Sequence, residues 1–243
     1  MKTRAYVIHL ARATGRRANA ERLLASLPMP GEMLDAVDAK RMTEAEFAAA
    51  YRPNLLKPRY PFALRQTEIA CFLSHRKAWG TIAAGELDGG LILEDDVEVD
   101  VPVLEAILSA ADGVLRPGDY LRFPQYLRDE SGPALVRSGD VSIIEPRVPG
   151  RRMFMQWVGR DAAVKLVAAT ETFDRPVDAL LQLPWLLPVR VLTARPIAVR
   201  EISGELGGTT VQNKNRTLGE TLAREIKRPL YRIAVHWHGM RRA

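Results

Sequence analysis

The chain has 243 residues, 47% of them hydrophobic, so it can bury a sizeable core and fits one large domain or one and a half. Its single cysteine, Cys71, excludes an internal disulfide and a multi-cysteine zinc site, which fits a reducing compartment. No stretch approaches the ~18 apolar residues of a membrane-spanning helix, and the N-terminal apolar run is too short for a signal peptide, so we expect a cytoplasmic protein. A net charge of +6 and a pI of about 9.7 indicate an anionic partner such as nucleic acid, a nucleotide or anionic lipid.

Strand and helix patterns alternate along the chain. Thr43 and Glu46 form the capping-box pattern that begins one of the helices. Strands that alternate with helices predict an α/β sandwich around a mostly parallel sheet. In chain order the predicted elements are strand 5–10, helix 16–27, strand 33–37, helix 43–51, helix 68–84, strand 91–93, helix 102–115, strands 120–123, 141–144 and 153–158, helices 161–169 and 177–183, and strand 189–193.

The last twenty residues form a basic segment in which six Lys or Arg stand against one Glu. Apolar side chains are interleaved with these charges, namely Leu230, Tyr231, Ile233, Val235 and Trp237. A membrane-surface helix and a solvated helix docked on the core both fit this pattern. We therefore divide the chain into a domain over 1–222 and a basic amphipathic segment over 223–243.

Three consecutive carboxylates, Glu94, Asp95 and Asp96, follow the short apolar strand at 91–93. Adjacent carboxylates repel one another unless a cation or solvent screens them. In open α/β sheets ligands bind at the carboxyl ends of strands, and Mg²⁺ and Mn²⁺ prefer carboxylate and phosphate oxygens. The stretch predicts a metal–diphosphate site, with a solvated turn as the alternative.

Five sequence blocks carry a family resemblance. They are YVIHLAR at 6–12 with two further arginines at 16–17, DAVDAK at 35–40, TEIACFLSHRKAW at 67–79, LILEDDV at 91–97 and, more weakly, RPVD at 175–178. In this order they resemble glycosyltransferase family 25, the lipooligosaccharide galactosyltransferase-like group that also includes collagen galactosyltransferase domains. The third and fourth blocks are the most specific.

The resemblance implies a GT-A-like domain, a three-layer α/β/α sandwich that uses a nucleotide sugar, usually UDP-galactose, and a divalent metal, Mn²⁺ or Mg²⁺. It implies Asp96 as the metal ligand, with Glu94 or Asp95 assisting at the ribose or at a metal-bound water. A divalent ion that bridges a departing diphosphate stabilises its negative charge as a Lewis acid.

The first strand and the loops beside it are expected to face the donor. Arg12 and Arg16 flank the start of the first helix, where phosphate can be held, and a solvated helix start is the alternative. His9 stands where the family usually has Asn, and it is either a donor to the nucleotide or a core histidine. Asp38 resembles the family's nucleoside-contacting acid, and a turn or helix-capping role explains it as well.

The most specific block places Ser74 and His75 in the middle of a helix. Neighbouring helical side chains point ~100° apart, so these two residues are not a nucleophile–base pair. The resemblance implies that this helix borders the donor site, which makes both residues donor-binding candidates. A core position is the alternative for His75.

The resemblance also implies a catalytic base that deprotonates the acceptor hydroxyl, as inversion requires. Asp178, at the start of a predicted helix, is the first candidate, and its alternative role is to interact with the helix dipole. Asp161 is the second candidate. The segment 153–159 departs from the family's usual pattern near the acceptor.

The sequence as a whole predicts an inverting, metal-dependent glycosyltransferase that moves galactose from a UDP-sugar to lipooligosaccharide or another cell-surface glycan. We expect it in the cytoplasm, at the inner face of the membrane, with no nucleic-acid partner. Two alternatives remain open: a non-catalytic membrane-surface or nucleic-acid binder, and a sugar-nucleotide hydrolase.

Overall fold

The computed structural model describes residues 1–127, 130–208 and 218–241, with side chains from residue 225 onward in the last range. Within these ranges no helix is both long and apolar enough to cross a membrane. The strands are β1 (Thr3–His9), β2 (Gly31–Asp35), β3 (Gly89–Glu94), β4 (Val97–Val99), β5 (Asp119–Phe123), β6 (Ala134–Ser138), β7 (Val141–Ile144), β8 (Met155–Gly159), β9 (Arg190–Arg195) and β10 (Val199–Glu201). The helices are α1 (Thr14–Ser26), α2 (Glu44–Ala50), α3 (Gln66–Ala84), α4 (Val101–Ala111), α5 (Arg160–Ala169), α6 (Val177–Leu180) and α7 (Leu218–Met240), with a 3₁₀ helix at Ala39–Arg41.

The central sheet has eight strands in the order β2-β1-β3-β8-β5-β9-β7-β6. β1 pairs in parallel with β2 and β3, and β5 pairs in parallel with β9. The other pairings are antiparallel, and together they leave β7 and β8 running against the remaining six strands. The sheet is therefore mostly parallel in strand direction, as predicted.

Helices cover both faces of this sheet. Along β1, Tyr6 and Ile8 face one core with α2, α3, α5 and α6, whereas Ala5 and Val7 face a second core with α1 and α4. This alternation follows from the two-residue period of a strand, and both faces are apolar because both are covered. The predicted three-layer α/β/α sandwich around a mostly parallel sheet is confirmed.

The strongest sequence signals give the elements that agree best with prediction. The capping box of α2 is present, with Thr43 accepting from the Glu46 N–H and the Glu46 carboxylate accepting from the Thr43 N–H.

The structure differs from prediction at one helix end and at three strands. α4 ends at Ala111 rather than 115, and Gly113 follows with a φ of +77°, a left-handed conformation that favours glycine. Three short strands, β4, β6 and β10, were not predicted.

The small sheet of β4 and β10 fixes the chain that follows the acidic stretch. Val97 lies opposite Glu201 in its antiparallel register. Next to this pair, the Asp96 carbonyl accepts a hydrogen bond of 2.8 Å from the Ile202 N–H. The acidic turn is therefore clamped between the central sheet and this two-stranded sheet.

α7 lies against the body of the protein through a small apolar cluster. Tyr231 and Val235 are buried there with Leu183, and Trp185 packs against them. The Tyr231 hydroxyl accepts a hydrogen bond of 3.0 Å from Nη1 of the buried Arg175. One face of the basic segment is thus docked on the core, while the division of the chain at 222–223 stays a prediction.

Gly89 leaves no room for a side chain where β3 meets β8. A Cβ at this position would lie 2.6 Å from the Val158 carbonyl oxygen and 2.6 Å from Cζ2 of the buried Trp157. We expect Gly89→Ala to lower the free energy of unfolding by about 1–3 kcal/mol, because neither the backbone nor a packed indole can move away easily. Urea unfolding of the purified protein measures the change.

Gly80→Ala is the matched control for this substitution. Gly80 lies inside α3, and apart from the helix's own backbone no atom lies within 4 Å of the point that a Cβ would occupy there. The same added methyl group should stabilise the protein at this position, by about 0.5–1 kcal/mol, because alanine is the better helix former. Equal effects at the two positions would contradict the close packing of β3.

Candidate functional site

A pocket opens at the carboxyl edge of the parallel strands. It encloses about 110 Å³ between the ends of β1 and β3, the segment after β2 and one side of α3. The strands meet there because β1 and β3 run in parallel, with Ile8 opposite Glu94. Predicted site residues that line the pocket are Arg12, Arg16, Ser74, His75, Glu94 and Asp95.

Arg16 is a buried cation that joins both aspartates of the acidic turn. Its Nη1 lies 3.0 Å from Asp95 Oδ1 and 2.9 Å from Asp96 Oδ2, and the residue is 6% exposed. Its Nη2 donates to the carbonyl of Gly208 at 2.5 Å. Arg16 is therefore not a solvated residue at a helix start, since it binds the acidic turn to α1.

Asp96 has an oxygen with no protein partner in the described part of the chain. Its Oδ1 is buried without a hydrogen bond. Burial, and then the carboxylate of Glu94, raise the pKa of Asp96 to about 7, with Asp95 and Glu201 adding to the effect and Arg16 opposing it. Four carboxylates thus lie near two guanidiniums, those of Arg16 and Arg152. Carboxylate oxygens are ligands that a divalent cation prefers.

His9 and Asn19 fix the acidic turn from behind. Nδ1 of the buried His9 lies 2.7 Å from Asp95 Oδ2. The Asn19 amide donates to the carbonyls of Asp95 and Val97, both at 2.9 Å. His9 lies outside the pocket lining, so the structure places it as a core histidine that orients Asp95 rather than facing a nucleotide.

Arg12 and Asp38 form an ion pair at the rim of the pocket. Arg12 Nε lies 3.0 Å from each carboxylate oxygen of Asp38. Asp38 also accepts from the Lys40 N–H and caps the 3₁₀ helix, which is the capping role considered above. Asp38 therefore positions the half-exposed guanidinium of Arg12, which does line the pocket.

Ser74 uses its hydroxyl to shape one wall of the pocket. Its Oγ donates to the Ala70 carbonyl at 2.8 Å and accepts from the Val37 N–H at 2.9 Å. Both bonds are to backbone, so Ser74 holds the segment after β2 against α3. Val37 and Ala70 both line the pocket beside it.

His75 links Glu94 to the middle of the sheet. Its Nε2 lies 3.5 Å from Glu94 Oε1, and its Nδ1 lies 3.1 Å from the Gln156 amide nitrogen. Cys71 is the third member of this wall, with its Sγ within 4.8 Å of the ligand atoms of His75 and Glu94. Burial raises the pKa of the Cys71 thiol well above its usual range, so the protein alone provides a neutral thiol there.

Asp178 lies outside the pocket lining but on the same edge of the sheet. Its Oδ2 accepts from the Arg152 N–H at 3.3 Å, and the Arg152 guanidinium lies 3.0 Å from Glu201 Oε2. Arg152 has a φ of +72°, which is uncommon for a residue other than glycine. Arg152 therefore contacts both Asp178 and Glu201. Glu201 in turn lies close enough to the acidic turn to contribute to the raised pKa of Asp96.

Asp161, the second candidate base, is placed at the opposite edge of the sheet. It follows β8, which runs antiparallel to β3 and ends with Gly159 opposite Gly89, the first residue of β3. The acidic turn comes after the other end of β3. Asp161 is therefore an acid in the first turn of α5, remote from the pocket.

Several residues that shape the site were not predicted. Asn19 lies three positions after Arg16 on the buried side of α1, and that spacing is the signal that could have found it. Gln156, a fully buried amide in a strand of apolar residues, was also visible in the sequence. Glu201 had no sequence signal, because its position depends on the pairing of β4 with β10, and Arg152 lies in the irregular segment before β8.

Removing the buried guanidinium should destabilise the protein strongly. We expect Arg16→Met to lower the free energy of unfolding by about 3–5 kcal/mol, because two buried carboxylates lose their shared cation. Arg17→Met is the control, since Arg17 is exposed and pairs only with the exposed Glu21 on the same helix among the residues described. The control should change stability by less than about 0.5 kcal/mol in urea unfolding, and equal losses would contradict the buried ion pairs.

The sequence matches the family model described as glycosyltransferase family 25 (LPS biosynthesis protein) over residues 2–128. A glycosyltransferase 25 family member of Drosophila melanogaster is 27% identical over 202 residues, covering 76% of this chain and 30% of the fly protein. Human procollagen galactosyltransferase 2 is 29% identical over 112 residues, covering 45% of this chain and 18% of its own. The human inactive glycosyltransferase 25 family member 3 is 35% identical over 101 residues, covering 39% of this chain and 16% of its own.

This chain spans less than a third of the length of these curated relatives. Among solved structures, a glycosyltransferase involved in glycosylating the major capsid of PBCV-1 covers 79% of this chain and 81% of its own, at 14% identity and a TM-score of 0.39. The family match extends over more than half of the sequence and includes the acidic turn and the α3 block. The chain belongs to glycosyltransferase family 25.

Proposed function

We propose that this protein transfers galactose from UDP-galactose to a hydroxyl group of lipooligosaccharide or a related cell-surface glycan, with a divalent metal and with inversion at the anomeric carbon. The observation that carries the proposal is the acidic turn, which combines surplus carboxylates with a pocket lined by Arg12, Arg16 and His75. Family membership supports glycosyl transfer, and the galactosyltransferase relatives support the choice of sugar.

Asp96 would hold the metal through its unpartnered oxygen, with Glu94 and Asp95 beside it. When bound, a divalent ion supplies the positive charge that stabilises a departing diphosphate. Arg16 cannot take over this task, because its guanidinium is already committed to Asp95, Asp96 and a backbone carbonyl. The residues present therefore fit a site that needs one further cation.

The pocket walls would bind the rest of the donor. Arg12 stands at the rim, where its half-exposed guanidinium can pair with diphosphate oxygens. The Val37 segment, held by Ser74, would line the pocket for the nucleoside. His75 lies next to Glu94 and fixes the direction of its carboxylate.

Asp178 would act as the base for the acceptor. Its Oδ2 is held by the Arg152 N–H, so we assign Oδ1 to the incoming hydroxyl group. The hydroxyl oxygen attacks the anomeric carbon, the bond from that carbon to the diphosphate oxygen breaks, and the hydroxyl proton passes to Asp178. UDP leaves, and attack opposite to the leaving group inverts the anomeric configuration.

A second candidate is a non-catalytic role. It is favoured by the similarity to a human relative whose name describes it as inactive. Hydrolysis of the donor is the remaining alternative. Incubation with UDP-galactose separates the three: transfer needs an acceptor, hydrolysis releases galactose without one, and a non-catalytic protein leaves the donor intact.

Asp96→Asn should abolish metal-dependent donor binding. We expect the parent to bind UDP more tightly with Mn²⁺ than without it, by at least tenfold, and the variant to lose this difference because a neutral amide is a poor ligand for a hard cation. Titration calorimetry with UDP, in the presence and absence of Mn²⁺, measures the effect.

Glu98→Gln is the control, since it removes the same charge two residues away. Glu98 is exposed and pairs with Arg200 on the small sheet, outside the pocket. The control should retain the full Mn²⁺ effect. Binding of UDP that is independent of metal in the parent would overturn the metal assignment, and no UDP binding at all would overturn the donor site.

Asp178→Asn should lower kcat for transfer by about 10²–10⁴-fold and leave Mn²⁺-dependent UDP affinity unchanged, because it removes the base without touching the pocket lining. Asp161→Asn makes the same change at the far edge of the sheet and should leave kcat within about twofold. Initial rates of galactose transfer to an accepted glycan give both values. Unchanged turnover in Asp178→Asn would assign the base elsewhere.

A further inference from the structure

α7 carries an exposed apolar stripe along its whole described length. The side chains recur at intervals of four and three residues, so they lie on one side of the helix. Over 14 residues at 1.5 Å each, the stripe is about 21 Å long. Its members are Ile226 (60% exposed), Leu230 (61%), Ile233 (65%), Trp237 (45%) and Met240 (58%).

This stripe is not the face that docks α7 on the protein. Tyr231, Val235 and Gly239 are the buried positions of the helix. At ~100° per residue they lie about 180° around the axis from the stripe. The helix therefore has two apolar faces, and the body of the protein covers one of them.

Cations stand along both sides of the stripe. At ~100° per residue, Arg241 and Lys227 lie about 60° and 100° around the axis from the centre of the stripe on one side. Arg232 lies about 120° away on the other side, next to Glu225, and all of these residues are exposed. The guanidinium carbon of Arg241 lies 3.4 Å from the centre of the Trp237 ring, which brings a cation and an indole to the same end of the stripe. Glu225 is the acidic residue of this helix between 225 and 241.

We propose that α7 docks the protein on an anionic lipid bilayer, with the stripe inserted at the boundary between headgroups and acyl chains. The arrangement suits that surface: the apolar side chains enter the boundary, the flanking cations meet anionic headgroups, and Trp237 lies at the interface that tryptophan prefers. This goes beyond glycosyl transfer, since the docking face contains no residue of the pocket.

A lipid surface fits the stripe better than a second copy of this chain. Two copies that paired through their stripes would bring Lys227 and Arg241 close to the same cations of the other copy. An anionic bilayer gains about 1 kcal/mol per Lys or Arg near its surface. The charges that oppose self-association therefore favour the bilayer.

Docking through α7 would also orient the proposed acceptor side. Tyr231 of the docked face lies under the Arg151 guanidinium, 5.8 Å from its carbon, and contacts Arg175. Arg151 and Arg175 adjoin Arg152 and Asp178, so α7 lies next to the candidate base. The orientation given by docking would bring a lipid-linked acceptor near Asp178, an inference that rests on the proposed function.

Vesicle co-sedimentation tests the docking itself and needs no activity. The full chain is mixed with vesicles of phosphatidylglycerol and phosphatidylcholine or of phosphatidylcholine alone. We expect sedimentation with the anionic vesicles, at least tenfold weaker binding for the double variant Ile233→Ser with Trp237→Ser, and a similar loss for Lys227→Glu with Arg232→Glu.

The control repeats both kinds of change on another helix. Val164 and Lys165 are exposed on α5, so Val164→Ser with Lys165→Glu removes one exposed apolar side chain and reverses one charge there. This variant should bind anionic vesicles like the parent. Brominated lipid should quench the indole emission of the parent much more strongly than that of Trp237→Phe, because Trp79 and Trp157 are buried and the partly buried Trp185 packs against the docked face of α7.

Three results would overturn the proposal. The first is a parent that does not sediment with anionic vesicles. The second is equal binding by the parent and the stripe variant, with both folded by circular dichroism. The third is a dimer in the absence of lipid that the stripe variant loses, which would assign the stripe to a second copy. A parent protein that binds anionic vesicles but does not bind UDP would reject the proposed function and leave the docking proposal intact.

Discussion

The burial of Arg16 between two aspartates is the constraint on which the site depends. A guanidinium and two carboxylates that are shielded from water cannot separate without leaving an unpaired charge, so α1 is held against the end of β3. Asn19 and His9 add hydrogen bonds to the same turn. The result is an acidic turn whose three carboxylates outnumber the one arginine buried against it.

The two halves of the sheet contribute different parts of the site. The parallel half, β2-β1-β3, ends at the pocket that we assign to the donor. The mixed half contributes β8 and the turn into α6, where Asp178 lies. Arg152 contacts both halves, since its backbone holds Asp178 and its guanidinium holds Glu201 beside the acidic turn. The family model matches residues 2–128, which include the parallel half of the sheet and the acidic turn.

Periodicity and motif spacing predicted the layers of the fold and the position of the acidic turn, because apolar alternation and helix caps are local. The sequence also predicted the residues around the pocket, although their contacts were only partly foreseen. Asp38 and Ser74 turned out to bind neighbouring protein groups, and Arg16 is buried. Such pairings arise between segments far apart in the chain: Arg16 and Asp95 are 79 positions apart, and His75 and Gln156 are 81. No local pattern encodes them.

The glycines at the start of β3 have a consequence for the other end of that strand. Because Gly89 and Gly90 have no side chains, the Trp157 ring, the Ile82 side chain and the Tyr6 ring occupy the space above and below the strand. Glu94 lies five residues further on, about 16 Å away. A strand is stiff over that length, so the packing of these apolar side chains in the core contributes to where the Glu94 carboxylate stands. A change in the size of one of these core side chains, which no substrate reaches, would therefore shift the carboxylates.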